Sequence, residues 1–131
     1  MSLQTWIEEF YPEPAGAAAK RGEAAAVEHS LRKWEGLKEE NLARHGLLES
    51  SHSISEAKTD QHLEISSVTC ALCLMTGVSC SPCPLYKARD GSACDRRRFD
   101  EVRAPWYVWT EACDPEPMIL WLTKAREHCN D

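Results

Sequence analysis

At 131 residues the chain has material for one hydrophobic core, and its 43% hydrophobic and 27% charged residues, with five tryptophans, describe a folded protein rather than a disordered one. A formal net charge of −6 works against attraction of the whole chain to phosphate backbones or anionic lipid. The opening stretch "MSLQTWIEEFYPEP" lacks the features of a secretory signal, and no apolar run approaches the ~20 residues that span a bilayer, so the expected address is cytoplasmic, with no membrane partner.

In chain order, "TWIEEF" predicts a short helix ended by Pro12 and Pro14, because proline removes a donor and biases its predecessor toward extended backbone. An alanine-rich segment leads into "AAAVEHSLRKW", where Val27, Leu31 and Trp34 recur at i, i+4 and i+7 and form one buried helical face. Gly36 ends that helix. "LKEENLARHGL" predicts a second, with Leu37 and Leu42 inward and Gly46 at the C′ position.

The polar stretch 49–61 predicts a surface loop, and "HLEISSVTC" a strand with Leu63, Ile65 and Val68 near a period of two. Later, "PWYVWTEA" suits a short helical turn with Trp106 and Trp109 on one side. Asp114 as N-cap and Pro115 at N1 would start the last helix, whose stripe is Met118, Trp121, Leu122 and Ala125, continued by Cys129.

The stretch "CALCLMTGVSCSPCPL" places two C-x-x-C pairs six residues apart. In a reducing cytoplasm seven cysteines are thiols or thiolates, and an odd count leaves one over in any fully disulfide-bonded scheme. Two such pairs can close a tetrahedron around zinc, with sulfur about 2.3 Å from the ion. The candidate ligands are Cys70, Cys73, Cys80 and Cys83, with Gly77 supplying a tight reversal between the pairs. The short spacer leaves a second set open: Cys70, Cys73, Cys83 and Cys94, brought in by a turn at Asp90 and Gly91, with Cys80 a packed thiol. A shell of four sulfurs is closed, so the metal would be structural, a zinc knuckle.

Competing readings weigh less. Cys113 and Cys129 suit simple burial. A redox dithiol would want a βαβ setting, which the pattern does not supply, and iron–sulfur would want the ferredoxin run of cysteines. The five histidines show no H-E-x-x-H spacing, and His62 alone is kept as a reserve ligand. Arg96, Arg97 and Arg98 with Phe99 could grip phosphate and stack on a base, but Asp95, Asp100 and Glu101 interrupt the cluster.

The phrases "EFYPEPA", "HSLRKWEGL", "ENLARHGL", "CALC", "CSPCPL" with "GSAC", and "PEPMILWL" resemble a group of small cysteine-rich proteins encoded by bacteriophages and prophages, over about Trp6 to Leu122. The resemblance implies a compact accessory protein in a bacterial cytoplasm that binds a host protein and needs no catalysis. The expectation is thus one α+β domain over 1–131, mostly helical: a helical front to residue 48, a surface loop over 49–61, and a zinc-knuckle region with the C-terminal helix from 62 to 131.

Overall fold

In the computed structural model, described for residues 2–50, 52–56, 59–77, 79, 82–127 and 129, the chain is mostly helical with one small antiparallel sheet. Helix α1 (Leu3–Phe10) begins two residues before the predicted "TWIEEF", because Ser2 and Thr5 cap each other: Thr5 N–H donates to Ser2 Oγ at 3.2 Å and Ser2 N–H to Thr5 Oγ1 at 2.8 Å. Leu3, Trp6 and Phe10 share its inner face. Trp6 is fully buried and its indole N–H donates to the Gly36 carbonyl at 2.8 Å.

The alanine-rich segment is two helices, α2 (Ala15–Lys20) and α3 (Glu23–Gly36), since Gly22 between them takes a φ of 111°. Helix α3 is the axis of the molecule and packs against α1 and α2 and against three later helices. Val27, Leu31 and Trp34 are buried on it as predicted. It stops at Gly36, and packing explains why glycine stands there: a Cβ would lie 2.5 Å from Cγ of Phe10. Helix α4 (Glu39–Arg44) follows, with Leu37 and Leu42 buried and Gly46 in the left-handed region at φ +70°.

The expected surface loop over 49–61 is corrected in part, because strands β1 (Leu47–Glu49), β2 (Ser53–Glu56) and β3 (His62–Glu64) form a sheet in the order β1-β2-β3. In β2 the apolar Ile54 stands alone among polar neighbours, facing Glu49 on one side and Leu63 on the other. One fully buried side chain is enough to seat so short a strand, but it leaves no period to read. The sheet is tied to α1 by Leu3 N–H, which donates to a Glu56 carboxylate oxygen at 2.7 Å.

The strand expected to run into Cys70 stops at Glu64. Ile65 remains fully buried, but Ser66 and Thr69 bond each other's backbone and wind Ser67–Thr69 into a 3₁₀ turn, which leaves Val68 exposed. Three more short elements follow: α5 (Ala71–Met75), α6 (Pro84–Ala88) and α7 (Pro105–Ala112). The last is α8 (Glu116–Arg126), and Glu116 N–H donates to Asp114 Oδ1 at 3.0 Å. Met118, Trp121, Leu122 and Ala125 are buried against α3 and α6. Trp34 meets Trp109 and Trp106 edge-on, with ring centroids 5.5 and 6.2 Å apart, which joins α7 to the axis. No helix of the described residues is long and apolar enough to cross a membrane.

Candidate metal centre

The 3₁₀ turn delivers Cys70 to the start of α5, where its Sγ accepts the Cys73 backbone N–H at 3.5 Å. The Cys73 thiol donates to the same sulfur. That bond, with the Lys33 ammonium and the amides of Cys73 and Leu72 acting against burial, brings Cys70 down to about 5. Cys73 is pushed up, because it holds the proton that Cys70 shares and is itself partly desolvated. Both sulfurs of the first pair belong to the start of α5, and a bound metal ion would require both to lose their protons.

Gly77 has a φ of +65°, the reversal anticipated between the pairs. Cys80 lies outside the described residues. Cys83 immediately precedes α6, with Pro84 at its first position. After α6, Asp90 and Gly91 both take positive φ, 55° and 86°, and turn the chain back so that Cys94 returns toward the first pair. The Cys94 carbonyl accepts Trp106 N–H at 2.9 Å, which fixes this loop to α7.

Cys70, Cys73, Cys83 and Cys94 line one cavity of about 420 Å³. Its lining also includes the apolar side chains of Trp34, Trp106, Met118 and Leu122. Helix α3 contributes Ser30 and Lys33, each 1% exposed. Lys33 is pulled down from the usual lysine range by burial, against the attraction of Cys70, Cys73 and Cys94. Of the two ligand sets, the described members of the first are Cys70, Cys73 and Cys83, and all four of the second share the cavity. Among the described residues, no three His, Cys, Asp or Glu side chains are grouped closely enough to hold an ion as they stand.

The other residues singled out by sequence fall elsewhere. His62 is exposed on β3, with Nδ1 3.2 Å from the Asp60 carbonyl. Arg98 bonds Asp90 at 2.9 Å and lies 4.8 Å over the Trp121 ring, and Arg97 donates to the Glu101 carbonyl at 2.7 Å. Phe99 is 87% exposed. Cys129 Sγ donates to the Ala125 carbonyl at 3.3 Å, and Cys113 caps α7 in the left-handed region.

Two features escaped the sequence reading. Lys33 carries no signal, since a lysine in a helix ordinarily reads as a solvated residue. The second is Arg89, fully buried at the end of α6, which donates two bonds of 2.9 Å to the Glu101 carboxylate and further bonds to the carbonyls of Ser92, at 3.2 Å, and Arg96, at 2.5 Å. Burial pushes the Glu101 carboxyl up, but Arg89, the Arg98 amide and Trp121 together bring it below its ordinary range. This bidentate pair shapes the loop that follows Cys94. Comparison of the chain with protein-family profiles, curated proteins and solved structures finds no match.

Proposed function

We propose that the chain is a non-enzymatic, metal-stabilised interaction protein of the phage type, in which Cys70, Cys73, Cys83 and Cys94 hold a structural zinc ion and the adjoining loop meets a host protein. The observation that carries this reading is the gathering of four cysteines from three separate segments around one cavity with a buried cation on its floor. The donors fit the ion by chemistry: thiolates are soft ligands that zinc favours, and four of them satisfy its tetrahedral preference. Zinc would draw the sulfurs inward and tie the start of α5, the start of α6 and the loop at residue 94 into one unit. Four sulfurs close the shell, so the ion would organise backbone and would not activate water.

The exposed residues support a protein partner over a nucleic acid. Phe99 and Val102, 87% and 90% exposed, stand on the loop after Cys94. Arg98 is paired with Asp90 and Arg103 with Glu111, while Arg97 donates to the Glu101 backbone carbonyl, so part of the basic charge is neutralised within the protein. An apolar pair beside partly neutralised arginines suits a protein contact more than a phosphate backbone.

Metal analysis of protein purified with zinc present tests the centre: one equivalent is expected, falling to a small fraction in Cys83→Ser. A wild-type chain that retains no metal would overturn it. Phe99→Asp with Val102→Asp should abolish capture of a specific host protein while zinc content stays at one equivalent. Retention on RNA or DNA that weakens steeply with salt, with no protein captured, would favour the arginine reading instead.

A further inference from the structure

Lys33 and Ser30 lie one helical turn apart on α3, both 1% exposed, and both line the cavity that the four cysteines share. The Lys33 ammonium donates to the Thr69 carbonyl at 3.0 Å, in the residue just before Cys70, and lies 5.5 Å from the Trp34 ring. An ammonium has three N–H donors, and Thr69 takes one. The Ser30 hydroxyl is buried with no hydrogen-bond partner among the described residues. A buried ammonium that no carboxylate pairs among the described residues, beside an unsatisfied hydroxyl, calls for negative charge in the cavity, and the sulfurs are the groups placed to carry it.

Among the described residues, the acidic side chain that lines the cavity is Asp95, which is exposed to solvent. The groups that face the ammonium from the elements packed around it are the sulfurs. A divalent ion with four thiolates is a dianion, and burying it in apolar walls would be prohibitive without a compensating charge. Resting on the reading of these cysteines as ligands, we propose that Lys33 and Ser30 form a built-in polar floor for that dianion. The ammonium supplies the counter-charge and the hydroxyl donates a hydrogen bond to a ligand sulfur. Donors of this kind orient metal ligands, and their loss typically lowers metal affinity about 10- to 100-fold.

The rival is that Lys33 only tethers the backbone at Thr69. Cobalt serves as a visible probe, through its thiolate charge-transfer band, with zinc added in competition. Lys33→Met, which keeps the stem and removes the charge, should lose about 10- to 100-fold in cobalt and zinc affinity and shift the band. Ser30→Ala should shift the band in the same direction with a smaller loss, and Lys33→Arg should recover most of the affinity. Wild-type affinity and an unshifted band in Lys33→Met would overturn the proposal and leave the tether.

If the methionine variant does not fold, the wild-type protein decides by itself: the Lys33 Nζ resonance in a nitrogen-15 spectrum should move when zinc is added, and a fixed resonance in zinc-loaded protein would overturn the proposal. Failure of the underlying reading looks different, because wild-type protein would then show no cobalt band at all.

Discussion

The two halves of the molecule are built on different physical plans. From α1 to α4 and the sheet, apolar burial does the work: Trp6, Val27, Leu37, Leu42 and Ile54 are essentially inaccessible, and the longest helix of the protein lies at their centre. From Cys70 to Glu101 the elements are α5 and α6, five residues each, well below the length at which a helix stands on its own. They are held by the buried Ala71, Leu72 and Leu85 together with polar groups, namely thiols, Lys33 and the Arg89–Glu101 pair. The front thus packs mainly through apolar side chains, whereas the back adds polar links to a smaller apolar contribution, and the proposed metal ion would be a further cross-link there.

The largest test of this contrast is metal removal. Chelation of zinc-loaded protein should abolish hydrogen-exchange protection across residues 70–94 and leave α1 and α3 protected, since structural zinc sites contribute on the order of 10 kcal/mol. Uniform loss of protection through both halves would erase the distinction. Next comes the front's own anchor: Trp6→Ala should cost about 3–5 kcal/mol in denaturant midpoint experiments and lower the stability of metal-free protein as much as that of loaded protein.

Somewhat smaller is Glu101→Ala, expected to cost about 3 kcal/mol because Arg89 is left buried without its carboxylate while Glu101 itself keeps some solvent contact. Urea titration read through Trp121 fluorescence measures it, since that indole donates to Glu101 at 3.0 Å. Smallest is the acid response of the front. Bonds from Arg44 and then His45 hold Glu9 at about 2, below its ordinary 4.5. A depressed carboxyl contributes its stability above the unfolded value and loses it as pH falls through the folded one, so the contribution should fade between about 4.5 and 2. Glu9→Gln should lower the thermal midpoint at neutral pH, flatten its fall over that window and bring it level with wild type at the acid end.

The parts that could be read from sequence were those where one residue type has one common use. The i, i+4, i+7 spacing of Val27, Leu31 and Trp34, the stripe on α8, and the turns at Gly77 and at Asp90 with Gly91 all follow from backbone or helical geometry. The turn at Asp90 and Gly91 is present and Cys70, Cys73, Cys83 and Cys94 line one cavity, without the close grouping that an ion requires among the described residues. Strands β1 and β2 were hidden because Ile54 stands as a single apolar residue among polar neighbours, and hydrophobic alternation needs repetition to be visible. Lys33, Arg89 and the histidine at 45, buried between Thr5 and Glu9, were hidden for a different reason. Their burial depends on partners up to 40 positions away in the chain, and local pattern contains no record of them.

Arg89 has a consequence for how this protein can change over generations. One guanidinium, gripping the carbonyls of Ser92 and Arg96 and both oxygens of Glu101, acts as the mould around which that loop is cast. Because the mould is inside, the outward positions such as Phe99 carry little of the loop's folding energy. Residues there can be exchanged while the casting keeps its shape, so the same scaffold can carry a different outer surface.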